Sequence, residues 1–183
     1  SADIALYNGK LSGRNRVCFF AAEMDEALQS RITLEKAIRE AIANDGFVLH
    51  YQPIFEISGK NLIGYEALLR LPAKDGSLIP PDTFIPVAED IRLIDKIGAW
   101  VLHEACKTAT TWPKNLTVAV NLSPTQFEAG TINEIVVSAL KTSGLDPARL
   151  ELEIIETLLL GNNERTMEQL NELKKLGVSI VMD

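Results

Sequence analysis

A pair of strand-like runs joined by a short turn, followed by strands that alternate with helices, leaves few folds open to this chain. Phe47–Ile57 and Leu62–Leu71 are strand-like and are separated by Ser58-Gly59-Lys60-Asn61. A short glycine-containing turn between two strands predicts an antiparallel hairpin. Pro72 to Pro81 reads as a loop. Helical spacing follows over Thr83–Thr110, then a strand at Leu116–Leu122, a helix opened by Thr131, a strand at Leu150–Thr157, a helix over Asn163–Leu176 and a strand at Val178–Met182. Such alternation requires right-handed crossovers and a parallel sheet. Apolar strands flanked by helices are covered on both faces or closed into a barrel. A complete α/β barrel takes about 250 residues. Here about half of a barrel's strands precede Asp183, and the open edge would expose unpaired backbone groups.

Local signals refine the elements. Leu34, Ile38, Ala41 and Ile42 give Ile32–Ala43 a helical period, ended by Asn44-Asp45-Gly46 with Gly46 expected at positive φ. Ile94, Ile97, Val101 and Ala105 form the buried stripe of the long helical region, which Pro86 is expected to divide. Thr131 and Glu134 have the spacing of a capping box, and Gly144 closes that helix. Met167, Leu170 and Leu173 face inward on the last helix, closed by Gly177. Ahead of all this, Ala2–Lys10 reads as a short helix and Val17–Phe20 as a short strand, with a turn between them. Glu23–Ser30 is polar, a linker or the lead-in to the next helix.

Composition removes several function classes. With 46% hydrophobic residues among 183, the chain can bury a sizeable core. A net charge of −7 argues against a general nucleic-acid binder, which needs a basic face for phosphates. It leaves open a small phosphate ligand held through a cation. Cys18 and Cys106 make neither a disulfide framework nor a CxxC site, which fits a reducing cytoplasm. His50 and His103 are too few for a typical zinc centre and read as structural. The longest apolar runs are strand-sized, so no membrane contact is expected, and the first residues lack a signal-peptide pattern.

In parallel α/β folds, ligands sit at the carboxyl ends of the strands. There the chain carries Glu66, Asn121, Glu153 with Glu156, and Asp183 on successive strands. Charge on a buried strand is costly unless paired or bound to metal. Three carboxylates and an amide oxygen, without thiolate, are hard donors suited to Mg²⁺, Mn²⁺ or Ca²⁺. Each residue also has an ordinary reading. Glu153 alternates with apolar neighbours, as a solvent-facing strand residue would. Asn121 suits a turn before Ser123-Pro124, and Asp183 suits a strand end. Arg70, with Gln52 on the hairpin, can fork onto a phosphate or form a surface ion pair.

These residues lie within a signature. Tyr51-Gln52-Pro53-Ile54, Gly64-Tyr65-Glu66-Ala67-Leu68-Leu69-Arg70, Phe84-Ile85-Pro86-Val87-Ala88-Glu89, Val120-Asn121-Leu122-Ser123 with Gln126-Phe127, and Glu151-Leu152-Glu153-Ile154-Ile155-Glu156 follow in order. From about Ile32 to Asp183 the chain resembles the EAL domain, the bacterial cyclic di-GMP phosphodiesterase. The opening Ala2–Tyr7 with Gly13-Arg14-Asn15 resembles the end of a GGDEF (diguanylate cyclase) domain, without its cyclase loop. The resemblance implies an α/β fold, a TIM-like (β/α) barrel with an antiparallel first strand, here truncated after about half the strands. It implies residues 1–22 as a GGDEF remnant, 23–31 as linker and 32–183 as a partial EAL domain.

By the same resemblance Glu66, Asn121, Glu153 and Asp183 match ligands of Mg²⁺ or Mn²⁺, with Glu66 and Glu156 as catalytic residues. Gln52 and Arg70 match contacts to the dinucleotide, and Glu156 matches a glutamate that steadies a later active-site loop. The implied activity is metal-dependent hydrolysis of cyclic di-GMP to a linear dinucleotide. A non-hydrolysing cyclic di-GMP-binding module and an inactive fragment are the alternatives. A homodimer or other self-association and an upstream GGDEF domain are the implied partners. Two positions depart from the family, which usually has Thr where Ile155 stands and often Gly where Arg92 stands, a residue expected within a helix. The family's second Asp, active-site loop and later Lys and Glu follow the position of Asp183 and are not in this sequence.

Overall fold

The computed structural model describes residues 22–156, 158 and 164–182. The expected helix and strand within residues 1–20 therefore lie outside the described residues, as does Asp183.

The first described helix, α1 (Ala22–Ala43), is longer than the apolar period alone predicts. The polar segment 23–31, read as a linker or lead-in, is part of the helix, because exposed polar residues cost a helix little. Ile38 and Ala41 are buried, and Arg31 ties the helix to its surroundings by pairing with Glu35 at 3.2 Å and Asp90 at 3.0 Å. Its end corrects the glycine assignment. Asp45, not Gly46, has positive φ, at 49°. Gly46 serves close approach instead: its N–H donates to the Ala41 carbonyl at 2.8 Å, and an added Cβ would sit 3.1 Å from the Ala41 Cα.

Strands β1 (Val48–Phe55) and β2 (Leu62–Pro72) form the expected antiparallel hairpin, with Gln52 opposite Glu66. The Glu56 carboxylate organises its turn, accepting from the Ser58 hydroxyl and from Asn61 Nδ2. The segment read as loop contains a two-residue strand, β3 (Leu78–Ile79), that doubles back antiparallel on the end of β2. Parallel strands β4 (Thr117–Leu122), β5 (Leu150–Ile154) and β6 (Ser179–Met182) complete the order β1-β2-β4-β5-β6. Among the described residues the sheet is open, not closed into a barrel.

The long helical region is two helices, α2 (Pro81–Asp90) and α3 (Ile94–Ala109), but Pro86 does not divide them. Pro86 lies inside α2, the sixth of its ten residues, where it removes one backbone hydrogen bond without ending the helix. The break falls at Arg92, which has φ 56°. The Leu93 N–H reaches back to the Ala88 carbonyl and the Arg92 N–H to that of Glu89, the paired bonds of a Schellman end. Arg92 is thus in a helix-terminating turn, not within a helix, at a position usually given to glycine.

Two shorter helices follow β4. The first, α4 (Pro124–Ala129), has no counterpart in the sequence reading; the second is α5 (Ile132–Ser143). A capping box forms at α4, between Ser123 and Gln126. The one expected at Thr131 and Glu134 does not form: Thr131 has φ −103° and ψ −1°, and its side chain makes no capping bond. An N-cap needs extended backbone to aim its oxygen at the free N–H groups, and Ser123, with ψ 143°, has it. The last helix, α6 (Glu164–Lys175), buries Leu170 and Leu173 as expected. Met167 is the exception, with 46% of its surface exposed, and Thr166 takes the buried place in that turn.

The core lies on one face of the sheet. Ala67, Leu69 and Leu71, Val118, Val120 and Leu122, and Leu150, Leu152 and Ile154 are buried there. They belong to one hydrophobic cluster with Ile97, Val101 and Ala105 of α3, Val136 and Ala139 of α5, and Leu173 of α6. Burying each large aliphatic side chain is worth about 1.5–3 kcal/mol. Arg149, just before β5, donates to the carbonyls of Ala109, Pro113 and Leu116, joining the end of α3 to the start of β4.

Candidate active site

Side chains alternate across a strand, and partners opposite one another in a ladder share a face. That rule sorts the candidate residues. Gln52 is opposite Glu66, Glu66 opposite Ala119, Asn121 opposite Glu153, and Glu153 opposite Val181. All therefore lie on the face away from the apolar cluster, and so does Arg70, four residues past Glu66 on β2.

On that face Asn121 Nδ2 donates to Glu66 Oε1 at 2.7 Å. The two are diagonal, not opposite, neighbours. The residue opposite Glu66 is Ala119, whose methyl group leaves the carboxylate room to lean along β4 toward the amide. With its NH₂ directed to Glu66, Asn121 turns its carbonyl oxygen away from that carboxylate. Glu153 is partly buried on the neighbouring strand.

Of the remaining candidates, Gln52 is the neighbour of Glu66 across the hairpin, while Arg70 stands apart. Gln52 is exposed on β1. Arg70 is partly buried, and its Nη1 donates to the Leu69 carbonyl at 2.9 Å. Four residues of extended strand put it about 13 Å along β2 from Glu66. Glu156 is exposed, two residues past the end of β5. Asp183 lies outside the described residues. Among the described residues, no group of three or more His, Cys, Asp or Glu is gathered as a metal cluster. Asn121 stands between Glu66 and Glu153 on this face, hydrogen-bonded to Glu66 and opposite Glu153 in the ladder.

A cavity of about 410 Å³ opens at the carboxyl ends of β2 and β4, beneath α2 and α3. Leu68, Ile85, Glu89, Asn121, Ser123 and Gln126 are among the residues that line it. The sequence reading assigned no role to Glu89, Ser123 or Gln126, although all three fall within its motifs. The usable signal was Ser123-Pro124-Thr125-Gln126, a capping-box spacing with proline at the first helical position.

Residues 35–183 match the family model described as the EAL domain. The chain belongs to the EAL domain family. This EAL domain is 44% identical over 183 residues to an uncharacterized signaling protein of Caulobacter vibrioides. It is 37% identical over 187 residues to MucR of Pseudomonas aeruginosa, a bifunctional diguanylate cyclase/cyclic di-GMP phosphodiesterase. The whole chain is covered in both alignments, but only 23% and 27% of those relatives, so it spans about a quarter of their length. Among solved structures it resembles the PaMucR phosphodiesterase in complex with c-di-GMP, with a TM-score of 0.79 and 36% identity over 82% of this chain and 63% of that one. The triplet that names the EAL domain is distributed across the pleat: Glu66 on the open face, Ala67 buried under the helices, Leu68 back at the cavity.

Proposed function

We propose that this EAL domain belongs to a phosphodiesterase that opens cyclic di-GMP to the linear dinucleotide. The observation that carries the reading is the hydrogen bond from Asn121 to Glu66. Two residues fifty-five positions apart meet on the open face, Glu66 midway along β2 and Asn121 next to the carboxyl end of β4, the end at which ligands of parallel α/β folds bind. The relatives named as cyclic di-GMP phosphodiesterases, and the solved PaMucR complex with c-di-GMP, support the substrate.

In this reading Glu66, Asn121, Glu153 and Asp183 hold Mg²⁺ or Mn²⁺. The chemistry of the donor set fits, because carboxylate and amide oxygens are hard ligands. A cation bound there would activate water and neutralise the charge of a phosphodiester oxygen. The residues themselves orient: Asn121 fixes the Glu66 carboxylate, and Gln52 and Arg70 bind the dinucleotide. The roughly 13 Å between Arg70 and Glu66 along the strand suits a ligand of that size better than a single ion. Glu156 steadies a later active-site loop. Upstream, residues 1–22 are the end of a GGDEF domain and 23–31 a helical linker into residues 32–183, a partial EAL domain. That arrangement agrees with the bifunctional naming of MucR. Self-association through the open sheet edge belongs to the same reading.

The test uses the full-length protein with Mg²⁺ or Mn²⁺, following conversion of cyclic di-GMP to the linear product by chromatography. Glu66→Gln should lower kcat by about 100-fold or more, the scale of losing a preorganised electrostatic group. It should also weaken Mn²⁺ binding measured by calorimetry. Tight cyclic di-GMP binding without turnover by the wild type would replace this reading with that of a binding module.

A further inference from the structure

The motif Phe84–Glu89 ends in a carboxylate for which neither the family fold nor the proposed cation site accounts. Glu89 is at the end of α2, beside the cavity, and its Oε1 accepts the hydroxyl proton of Ser123. Ser123 is two residues past Asn121, at the point where β4 becomes α4. Its Oγ is the cap of α4, accepting the Thr125 N–H at 3.3 Å and lying 2.8 Å from the Thr125 hydroxyl. Its own N–H donates to Gln126 Oε1 at 2.9 Å. Gln126 is 3% exposed and packs on α3, where Gly98 makes room for it: a Cβ at Gly98 would fall 1.9 Å from Gln126 Nε2.

The turn after Asn121 is therefore gripped from three sides: by the carboxylate of α2, the glycine surface of α3 and the capping box of α4. A carboxylate is acceptor-only, so it fixes the direction of the Ser123 hydroxyl and leaves the lone pairs of that oxygen for the α4 N–H. A hydrogen bond to an ionised acceptor is also about twice as strong as one between neutral groups.

We propose that Glu89 is a positioning residue for Asn121, acting through Ser123 to hold the end of β4, so that the amide keeps its NH₂ on Glu66 and its carbonyl oxygen toward the cation. The inference rests on the cation-site reading above. It assigns to Glu89 no contact with the cation or the dinucleotide.

The test is a mutant cycle in the full-length protein, read by Mn²⁺ calorimetry without nucleotide and by kcat and KM for cyclic di-GMP. Glu89→Ala and Ser123→Ala should each weaken Mn²⁺ affinity about tenfold, the low end for partners that orient metal ligands. Both should lower kcat with KM little changed. Because the two act as one unit, the double variant should lose no more than either single variant. Glu89→Gln, which keeps an acceptor oxygen, and Ser123→Thr, which keeps the hydroxyl, should restore most of the affinity. Should Glu89→Ala fail to fold, the Ser123→Ala and Ser123→Thr pair decides alone. Wild-type Mn²⁺ affinity in Ser123→Ala would overturn the proposal. So would a double variant whose loss is the product of the two, which makes the residues independent, or a Glu89→Ala defect confined to KM, which makes Glu89 a direct nucleotide contact. If only these results fail while Glu66→Gln still weakens metal binding, the positioning role falls and the cation site stands. If the wild type binds no Mn²⁺, the cation site itself falls.

Discussion

At the residue scale, Arg92 and Asp45 show why two helix ends were misread. Both take positive φ without being glycine. A left-handed backbone costs an ordinary L-residue about 1–2 kcal/mol. Arg92 sits where the paired Schellman bonds of its helix end require that conformation, and Asp45 where the bond from the Gly46 N–H to the Ala41 carbonyl does, so the pressure to adopt it comes from the chain around the residue. Arg92→Gly should therefore raise stability by about 0.5–1 kcal/mol once the added freedom of the unfolded chain is counted. Denaturant titration checks this, and an unchanged or lower midpoint would contradict it. Gly46 drew the positive-φ assignment because glycine is its usual bearer, when what the position needs is the absence of a Cβ against Ala41. The polar candidates were legible for the opposite reason. Glu66 and Asn121 interrupt runs that are otherwise apolar, and such an interruption on a strand is informative without knowing any partner; Glu153, in an alternating run, was marked only by its place on the strand.

At the element scale, strands were read better than helix starts. Period-two patterns and flanking turns located β1, β2, β4, β5 and β6 within a few residues, because burial of one face fixes both position and register. The helix α4 was missed because six residues are too short to show a period, and its signal is the cap alone. At Thr131 the cap residues are present but the backbone is not extended, a condition set by the chain arriving from α4. Arg149 stands just before β5, and its guanidinium bridges the end of α3, the loop at Pro113 and the entry to β4. A lysine cannot spread its donors over three carbonyls in this way. Arg149→Lys should cost about 1–3 kcal/mol by leaving carbonyls unpaired, measured as a lower denaturation midpoint with unchanged slope. No loss would mean that solvent already satisfies those carbonyls.

At the scale of the whole molecule, alternation after a hairpin made the parallel sheet legible, and the residues on its open face followed from parity. Closure was not legible, since the order of strands says nothing of whether their outermost edges meet. Among the described residues, no helix is long and apolar enough to cross a membrane. The helices pack on one face and bury Cys106 completely; burial pushes its thiol up to about 12. That thiol should report global opening. In a Cys18→Ser background, labelling of Cys106 at neutral pH should be slow, and its dependence on denaturant should match the equilibrium unfolding slope. Fast labelling independent of denaturant would reveal local opening at α3 instead.

The hydrogen bond between Asn121 and Glu66 spans fifty-five residues of chain, which has a consequence for synthesis. On the ribosome the hairpin carrying Glu66 emerges well before the strand carrying Asn121, and Glu153 later still. A nascent chain halted anywhere before β4 has left the exit tunnel holds a glutamate with no amide to orient it. Capture of a cation by the four proposed ligands would therefore mark translation through Asp183, and a product stalled or terminated earlier would be silent to it.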